Sequence, residues 1–247
     1  YRYPWAERRA VLRTQDDYST GTITATQGST AITGASTLWN TANSFSVNNV
    51  RTTGKILIGG GSVPYGISSI TNDTAAVLTD RFVESTVTAG TYVYYEDEYD
   101  LASDFLRPVD AQRFSDDTNI NIISRTEFRR RYPSNSTRGK PNVATIIDFA
   151  PSGNTTPIRR VKLAPAPDSF ILIPYTYITA NLVVDSTGTA KTGFTADADE
   201  PIVPLRYRHA ILYHALYNWY RDRKDDDRAI AAKAEYTDIM LRIMSDS

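Results

Sequence analysis

Residues 201–221 of the chain read P-I-V-P-L-R-Y-R-H-A-I-L-Y-H-A-L-Y-N-W-Y-R. Pro204 suits the first turn of a helix, because the N–H group that proline lacks would have no intrahelical partner there. From this proline onward, large apolar side chains recur at the spacing of one helical face, at Leu205, Leu212, Leu216 and Trp219. The stretch therefore predicts an amphipathic helix.

A second helical pattern begins after a polar interruption at residues 222–227. Its apolar positions are Ala229, Tyr236, Met240 and Ile243. The aspartates at its start favour this helix, because acidic side chains complement the positive end of the helix dipole. Helices joined by a short link pack antiparallel, so we expect an α-helical hairpin over residues 204–244. The side chains that we expect to be largely buried, either between the two helices or against the remaining core, are Leu212, Leu216, Trp219, Tyr236 and Met240.

The region that precedes the hairpin contains a different pattern. Residues 20–34, T-G-T-I-T-A-T-Q-G-S-T-A-I-T-G, alternate β-branched with small polar residues, and glycines interrupt them. That pattern is typical of a strand, a turn and a second strand. Further strand candidates are Lys55–Ile58, Tyr65–Ile70, Ala76–Leu78 and Thr91–Tyr95. Short strands at this density predict a small β-barrel or β-sandwich, inserted as a module over residues 18–95.

The remaining segments complete an α+β fold. Residues 1–17 can place apolar side chains on one face and arginines on the other, which predicts an N-terminal helical segment that is part of the core. Residues 96–247 predict a mixed α/β core that ends in the hairpin. Ser124, with Glu127 three residues later, predicts a capped helix over residues 124–132. The strand candidates of this core are Ala144–Phe149, Arg159–Leu163 and Ser169–Leu182.

The composition narrows the function classes. The net charge is −1, so no overall basic charge supports binding of nucleic acid. The basic run Arg129–Arg131 is too short to change that expectation. The chain has no cysteine, which excludes disulfides and thiolate metal sites. No apolar run approaches the roughly 20 residues that a membrane-spanning helix needs.

The residue types that carry chemistry form no recognisable motif. His209 and His214 lie five positions apart, whereas a zinc pair on one helix face needs a spacing of four. The acidic clusters at 96–98 and 225–227 are expected to be solvated turns, because adjacent carboxylates repel one another. Gly59–Gly61 is expected to be a hairpin turn, since no helix follows to hold a phosphate. The sequence thus predicts no enzyme, cofactor or metal site.

Several blocks of the chain, taken in order, are similar to successive segments of one protein family. They are W-A-E-R-R at 5–9, Y-S-T-G-T-I-T-A-T-Q-G-S-T-A-I-T-G-A-S-T-L-W at 18–39, K-I-L-I-G-G-G-S-V-P-Y-G-I-S-S-I at 55–70, Y-D-L-A-S-D-F-L-R-P at 99–108, V-K-L-A-P-A-P-D-S-F-I-L-I-P-Y-T-Y at 161–177 and the C-terminal stretch from residue 199. Together they resemble the tailed-bacteriophage head-to-tail adaptor, or connector, proteins. Members of that family typically combine a helical core with inserted β-structure and are not catalytic.

The resemblance implies a structural virion protein. Such a protein docks under the portal ring, oligomerises as a ring of about twelve copies and extends the DNA channel to the tail. Its implied partners are the portal protein, tail or nozzle proteins, copies of itself, and double-stranded DNA that passes through the lumen without sequence-specific contact. It would lie in the virion neck, between head and tail, after assembly in the host bacterial cytoplasm, and would contact no membrane.

The same resemblance suggests where docking occurs. The chain ends at Ser247, soon after its last helix and without the long C-terminal extension of some adaptors, so docking is expected to rely on the helices or on an N-terminal part that precedes Tyr1. The candidate partner-binding residues are Arg206, Tyr207 and Arg208. Arginine makes bidentate contacts with carboxylates, and tyrosine offers a large contact area at low entropic cost. The alternative is that these side chains pack and pair within the subunit.

Two rival functions stay open at this point. The first is a receptor- or carbohydrate-binding β-module of a phage tail fibre or spike, in which Trp39 and the tyrosines of residues 18–95 stack on sugars. The helical hairpin counts against it, because a terminal recognition module has little need of one. The second is a tail-associated glycosidase, since two carboxylates in a cleft suffice for that chemistry.

Overall fold

The computed structural model describes residues 4–113, 116, 118–134, 136–149 and 158–245. The chain is a mixed α+β protein in which strands outweigh helices. It divides into two compact units. The helical unit comprises Tyr1–Arg9, Asp104–Val109 and Thr176–Ser247, and the β unit comprises Ala10–Ser103 and Asp110–Tyr175. The boundaries predicted from the sequence, at residues 17 and 95, stay a prediction.

The strands, in chain order, are β1 Glu7–Arg13, β2 Thr22–Ala25, β3 Ala31–Ala35, β4 Lys55–Ile58, β5 Tyr65–Asn72, β6 Ala75–Leu78, β7 Val87–Gly90, β8 Tyr92–Tyr95, β9 Glu98–Asp100, β10 Phe105–Ala111, β11 Asn121–Ile122, β12 Val143–Phe149, β13 Ile158–Ala164, β14 Leu172–Thr179, β15 Val183–Val184, β16 Ala190–Lys191 and β17 Glu200–Pro201. The helices are α1 Arg125–Arg131, α2 His209–Asp222 and α3 Asp226–Ser245, with 3-10 turns at Pro4–Ala6 and Leu205–Tyr207.

The N-terminal segment is not the helix that the sequence pattern predicts. After the 3-10 turn at Pro4–Ala6 the chain extends as β1, which pairs with β14 in a three-stranded sheet of order β1-β14-β10. Pairing with a strand far along the chain satisfies the backbone groups of β1. Such tertiary pairing overrides a weak local preference for helix. The expectation of a helix over residues 1–17 is therefore wrong for the described part of that segment.

The largest sheet has the order β7-β2-β3-β6-β5-β4-β8 and is antiparallel throughout. All its strands lie within residues 22–95. Burial alternates along β2, β4 and β6, which is the period of two that the sequence shows. The sheet curls into a half-barrel. Within this fully described segment no hydrogen-bonded pairing joins β7 to β8, so a closed barrel is not formed.

One face of this sheet builds a hydrophobic core. Its largest fully buried side chains are Ile23, Ile32, Trp39, Ile56, Ile58, Leu78, Phe82 and Tyr94. Trp39 donates from Nε1 to the hydroxyl of Tyr92 at 3.0 Å, which satisfies the polar atom of a buried indole. The turn before β2 needs glycine at position 21, where φ is +83° and a Cβ would collide with the carbonyl oxygen of Ala35.

The second sheet of the β unit has the order β11-β12-β13-β9, and α1 packs on it. Phe128 of α1 is buried against Val143 and Ala164. The hydroxyl of Ser124 accepts a hydrogen bond from the backbone N–H of Glu127 at 3.3 Å, which caps the helix. The predicted short helix and its cap are confirmed.

The helical unit contains the C-terminal hairpin and a small sheet of order β16-β15-β17. In the hairpin, the ring of His214 lies 5.0 Å from that of Tyr236, and Arg228 lies over the ring of Tyr220. Early positions of α3 thus meet late positions of α2, so the helices are antiparallel, as predicted.

Hydrogen bonds to Asp199 hold the segment between residues 185 and 199 in place. The backbone N–H of Thr195 donates to this carboxylate at 2.6 Å and holds the pKa of Asp199 well below its usual range.

Candidate interaction surface

The three candidate residues from the sequence lie at the 3-10 turn that leads into α2, and the structure gives them different environments. Tyr207 is buried, with 5% of its surface exposed. Arg208 donates to Glu200 Oε2 at 2.9 Å, to the carbonyl of Val203 at 3.1 Å and to that of Pro201 at 3.1 Å. It therefore ties the turn to the strand before it.

Arg206 is the exposed member of the set. Its guanidinium carbon lies 4.7 Å from the ring centroid of Tyr207, a cation–π arrangement that orients the side chain. The internal contacts of Tyr207 and Arg208 agree with a structural role within the subunit. A partner-binding role for the three residues stays a prediction. Of the three, Arg206 has the exposed side chain that a partner could contact.

An open apolar cavity of about 490 Å³ lies beside this turn, within the helical unit. Its walls include Trp5, Leu182, Tyr207, Met240 and Ile243. The Trp5 and Tyr207 ring centroids are 6.0 Å apart. A concave apolar surface of this kind can receive an apolar side chain of another protein.

The face of α2 that the sequence pattern assigns to the core is largely exposed, with only Leu216 half-buried. Leu212 is 54% exposed and Trp219 is 47% exposed, so the expectation that both are largely buried is wrong for the single chain. The reason is that α2 carries apolar or aromatic side chains on more than one face. Ala210, His214 and Tyr217 occupy the face that meets α3. We call the row formed by the exposed Leu212 and Trp219, with the half-buried Leu216 between them, the α2 stripe.

A second exposed apolar row runs along α3. Ile230 is 67% exposed and Leu241 is 58% exposed, with the small, exposed side chain of Ala234 between them. The face of α3 that meets α2 is formed instead by Ala229, Ala232 and Tyr236. We call the exposed row Ile230, Ala234 and Leu241 the α3 stripe. The hairpin thus presents two apolar surfaces outward, on different helices.

The two stripes have charged borders of opposite sign. Beyond the α2 stripe, the guanidinium carbon of Arg223 lies 3.9 Å from the Trp219 ring centroid. On the exposed side of α3, Asp227 precedes the α3 stripe, and Asp238 lies in line with it between Ala234 and Leu241. Asp238 also pairs with Arg242 at 2.7 Å. A surface that combines exposed apolar rows with charged rims is typical of a protein–protein interface.

The acidic run at residues 96–98 is not a solvated turn, contrary to the prediction. Glu96 and Asp97 are completely buried. Arg51 donates from Nε to Glu96 at 2.7 Å, while Asp97 accepts from Lys55 Nζ at 2.6 Å and from Lys162 Nζ at 3.2 Å. Each carboxylate has its own cationic partner from a distant part of the chain, which offsets the repulsion between neighbours.

This buried charge cluster also perturbs the tyrosine beside it. Tyr94 is fully buried, and its hydroxyl group donates a hydrogen bond to Glu96. Burial raises the pKa of Tyr94 well above its usual value, and the negative charge of Glu96 adds to the effect. All members of the cluster are held by structural contacts within the β unit. We therefore assign the cluster to stability.

Most of the aromatic side chains proposed for sugar stacking in residues 18–95 are buried. Trp39 is only 1% exposed, and the tyrosines of β8, Tyr92, Tyr94 and Tyr95, are buried. An exposed aromatic of this region is Phe45, whose ring stacks on Phe170 with a centroid distance of 4.4 Å. An indole buried in the core cannot stack on a sugar, so Trp39 does not support carbohydrate binding.

The described residues were also compared with what a metal centre or a membrane-spanning helix requires. Nowhere in that part of the chain do three His, Asp or Glu side chains come together in a way that could hold a metal ion. Among the described helices, none combines the length and apolar character needed to cross a membrane.

Comparison with models of protein families shows what the chain is similar to. The family model described as SU10 adaptor protein matches residues 69–247, which is more than half of the chain and includes both stripes and the turn at Arg206. No curated protein matches the chain.

Proposed function

Because the chain belongs to the SU10 adaptor protein family, and is thus a structural adaptor of the phage virion, we propose that it joins the head to the tail. In this proposal it docks under the portal ring, assembles as a ring and extends the DNA channel. Its partners are the portal protein, tail or nozzle proteins and copies of itself. It acts in the virion neck, has no catalytic role and needs no cofactor.

The observation that carries the proposal is the pair of outward apolar stripes on the helical hairpin. Leu212, Trp219, Ile230 and Leu241 are each close to half exposed or more. Burial of apolar surface is worth roughly 25 cal/mol per Å², so covering these rows with another protein chain stabilises an assembly. An adaptor has to bind protein neighbours, and its hairpin offers the surface with which to do so.

The charge of the chain fits a passage for DNA. With a net charge of −1 the protein has no excess of cations to hold the phosphate backbone. Phosphate contacts by lysine and arginine would retard DNA and make binding depend on salt. Part of the basic run on α1 is also compensated, because Arg131 forms an ion pair with Glu127 at 2.5 Å. We therefore propose that double-stranded DNA passes without sequence-specific contact.

We place the portal contact at the turn before α2. Arg206 is exposed there, next to Tyr207 in the wall of the apolar cavity. A portal segment that carries a carboxylate and an apolar side chain would engage both features. The bidentate geometry of arginine suits such a carboxylate.

Co-sedimentation with the portal protein of the same phage tests this placement. We expect Arg206→Glu to weaken binding to portal while the circular-dichroism spectrum is unchanged. Arg129→Glu, at an exposed position on α1, is the matched control and should bind as the wild type does. Arg208→Glu is a poor test, because it breaks three internal hydrogen bonds. Wild-type binding by Arg206→Glu would show that this turn is not the docking surface.

Negative-stain images of portal particles mixed with the wild-type chain test the proposed function itself. We expect a ring of additional density on the side of the portal that faces the tail. If the chain binds no portal and instead binds only a tail fibre or a polysaccharide, the proposed function is wrong.

A further inference from the structure

The α2 stripe and the α3 stripe match each other in length. On α2 and its C-cap residue, positions 209, 212, 216, 219 and 223 follow one face, and on α3 positions 227, 230, 234, 238 and 241 share one face. Both rows run over the same number of residues, from 209 to 223 and from 227 to 241. At 1.5 Å per residue each row is roughly 21 Å long.

The two rows also match in charge. The α2 row reads His, Leu, Leu, Trp, Arg and contains no carboxylate, while the α3 row reads Asp, Ile, Ala, Asp, Leu and contains no cation. Contact between an α2 row and an α3 row can place Arg223 near Asp227 or Asp238. Contact between two α3 rows would bring carboxylates together, which is unfavourable.

Their shapes are compatible as well. The α3 row has a small residue, Ala234, between Ile230 and Asp238, whereas the α2 row carries the bulky Trp219 beside Leu216. Large and small side chains that alternate across facing positions allow two surfaces to interdigitate. The bulky side chains of the α2 row can therefore pack into the space that Ala234 leaves on the α3 row.

We propose that the α2 stripe of one copy packs against the α3 stripe of the next copy. This inference rests on the proposed function, since it names the contact that closes the ring. A contact between two different faces of the same chain is heterologous, and repetition of such a contact generates a closed ring when the rotation between copies allows it. The occupant of each stripe is thus a second copy of this chain.

Cysteine cross-linking tests the contact on a clean background, because the natural chain contains no cysteine. The full-length variants are Leu212→Cys, Ala234→Cys and, as a control at an exposed β-module position, Ser62→Cys. Each is oxidised in the presence of portal particles, alone and in equal mixtures. We expect the mixture of Leu212→Cys and Ala234→Cys to give a covalent dimer, and either variant alone to give no more dimer than Ser62→Cys does.

Other cross-linking outcomes would overturn the inference. Dimers formed by Leu212→Cys alone would indicate a contact between two α2 stripes. Cross-links to portal, with none between copies, would show that portal covers the stripe. Sedimentation of the same samples separates the two hypotheses. A chain that co-sediments with portal but gives no mixed dimer contradicts only the stripe contact, and a chain that does not co-sediment contradicts the proposed function.

A charge exchange supplies a second readout. Adding Arg223→Glu to the Leu212→Cys chain should reduce the yield of the mixed dimer. Adding Asp227→Lys and Asp238→Lys to the Ala234→Cys chain should then restore it. In the mixed dimer, one chain contributes its α2 stripe and the other contributes its α3 stripe. The substitutions at Arg223 and at the two aspartates therefore meet only at the contact between the two chains. An unchanged yield with Arg223→Glu, or the absence of any recovery, would show that these charges do not face each other.

Discussion

Arg51 and Glu96 form a two-pronged ion pair in which the carboxylate is completely buried, with Arg51 Nε 2.7 Å from Glu96 Oε1. The two residues are 45 positions apart. The pair joins the segment before β4 to the chain that leaves β8. A carboxylate removed from water requires such a partner, because an unpaired buried charge is far more costly than an unpaired surface charge.

Truncation of this arginine should destabilise the protein strongly. We expect Arg51→Ala to lower the free energy of unfolding by about 3–5 kcal/mol, because Glu96 would stay buried without its cation. Urea-induced unfolding measures the loss. The control is Arg131→Ala, which removes an exposed ion pair with Glu127 and should cost no more than about 0.5 kcal/mol. Equal losses in the two variants would contradict the importance of burial.

A second prediction concerns pH and Asp17. This carboxylate lies 2.9 Å from Arg138, yet burial outweighs that attraction and raises the pKa of Asp17 to about 6. An unfolded aspartate has a pKa of about 3.9, so between pH 4 and 6 the folded chain holds a proton that the unfolded chain releases. Stability from this group therefore falls as the pH rises through that window.

The substitution Asp17→Asn removes this titration. We expect the melting temperature of the variant, relative to the wild type, to increase as the pH is raised from 4 to 7. Thermal melts at closely spaced pH values measure the difference. Asp80→Asn, which changes another exposed aspartate, controls for a general effect of charge. If the difference between Asp17→Asn and the wild type is constant over this range, the prediction is wrong.

A third prediction compares two tryptophans. Trp39 is buried and hydrogen-bonded, so Trp39→Ala should cost about 3–5 kcal/mol of stability. Trp219 is 47% exposed and its ring faces Arg223, so Trp219→Ala should cost less than about 1 kcal/mol in the isolated chain. Urea-induced unfolding of both variants provides the measurement. A large loss for Trp219→Ala would mean that the ring is buried in solution.

A fourth prediction is that residues 17–97 fold when expressed alone. All strands of the half-barrel sheet and its core lie within this segment, and it keeps Arg51 together with Glu96. We expect a dispersed amide spectrum by NMR and a cooperative thermal transition. Ile23→Asp, which places a charge in the core, should abolish both. An unfolded wild-type segment would show that the module depends on the rest of the chain.

Regular elements of this protein could be predicted well from the sequence where neighbours along the chain decide the outcome. β4 has the predicted bounds, Lys55–Ile58, because alternation of buried and half-buried side chains is a local property of a strand. The capped helix after Ser124 is local in the same sense, since the cap and its partner are three residues apart. The hairpin was predictable because its link is short.

Features that depend on distant partners could not be predicted. Glu96 and Asp97 look like a solvated run until Arg51 and Lys55, which lie 45 and 42 positions away, are brought beside them. β1 became a strand through its pairing with β14. For a helix with apolar groups on two faces, periodicity alone does not identify the buried one. The sequence pattern therefore predicts the helix α2 correctly but places Leu212 and Trp219 on its buried face, although both are exposed.

The position of Asp97 between two sheets affects how the β unit responds to force. Its carboxylate contacts Lys55 on β4 of the half-barrel sheet and Lys162 on β13 of the neighbouring sheet. The two sheets are therefore linked through Asp97, from Lys55 on one sheet to Lys162 on the other. A force applied to one sheet reaches the other through these two charge contacts as well as through the peptide chain. Because the carboxylate is completely buried, dissolved salt weakens these contacts little. The joint should keep its stiffness under load in dilute and in concentrated electrolyte alike.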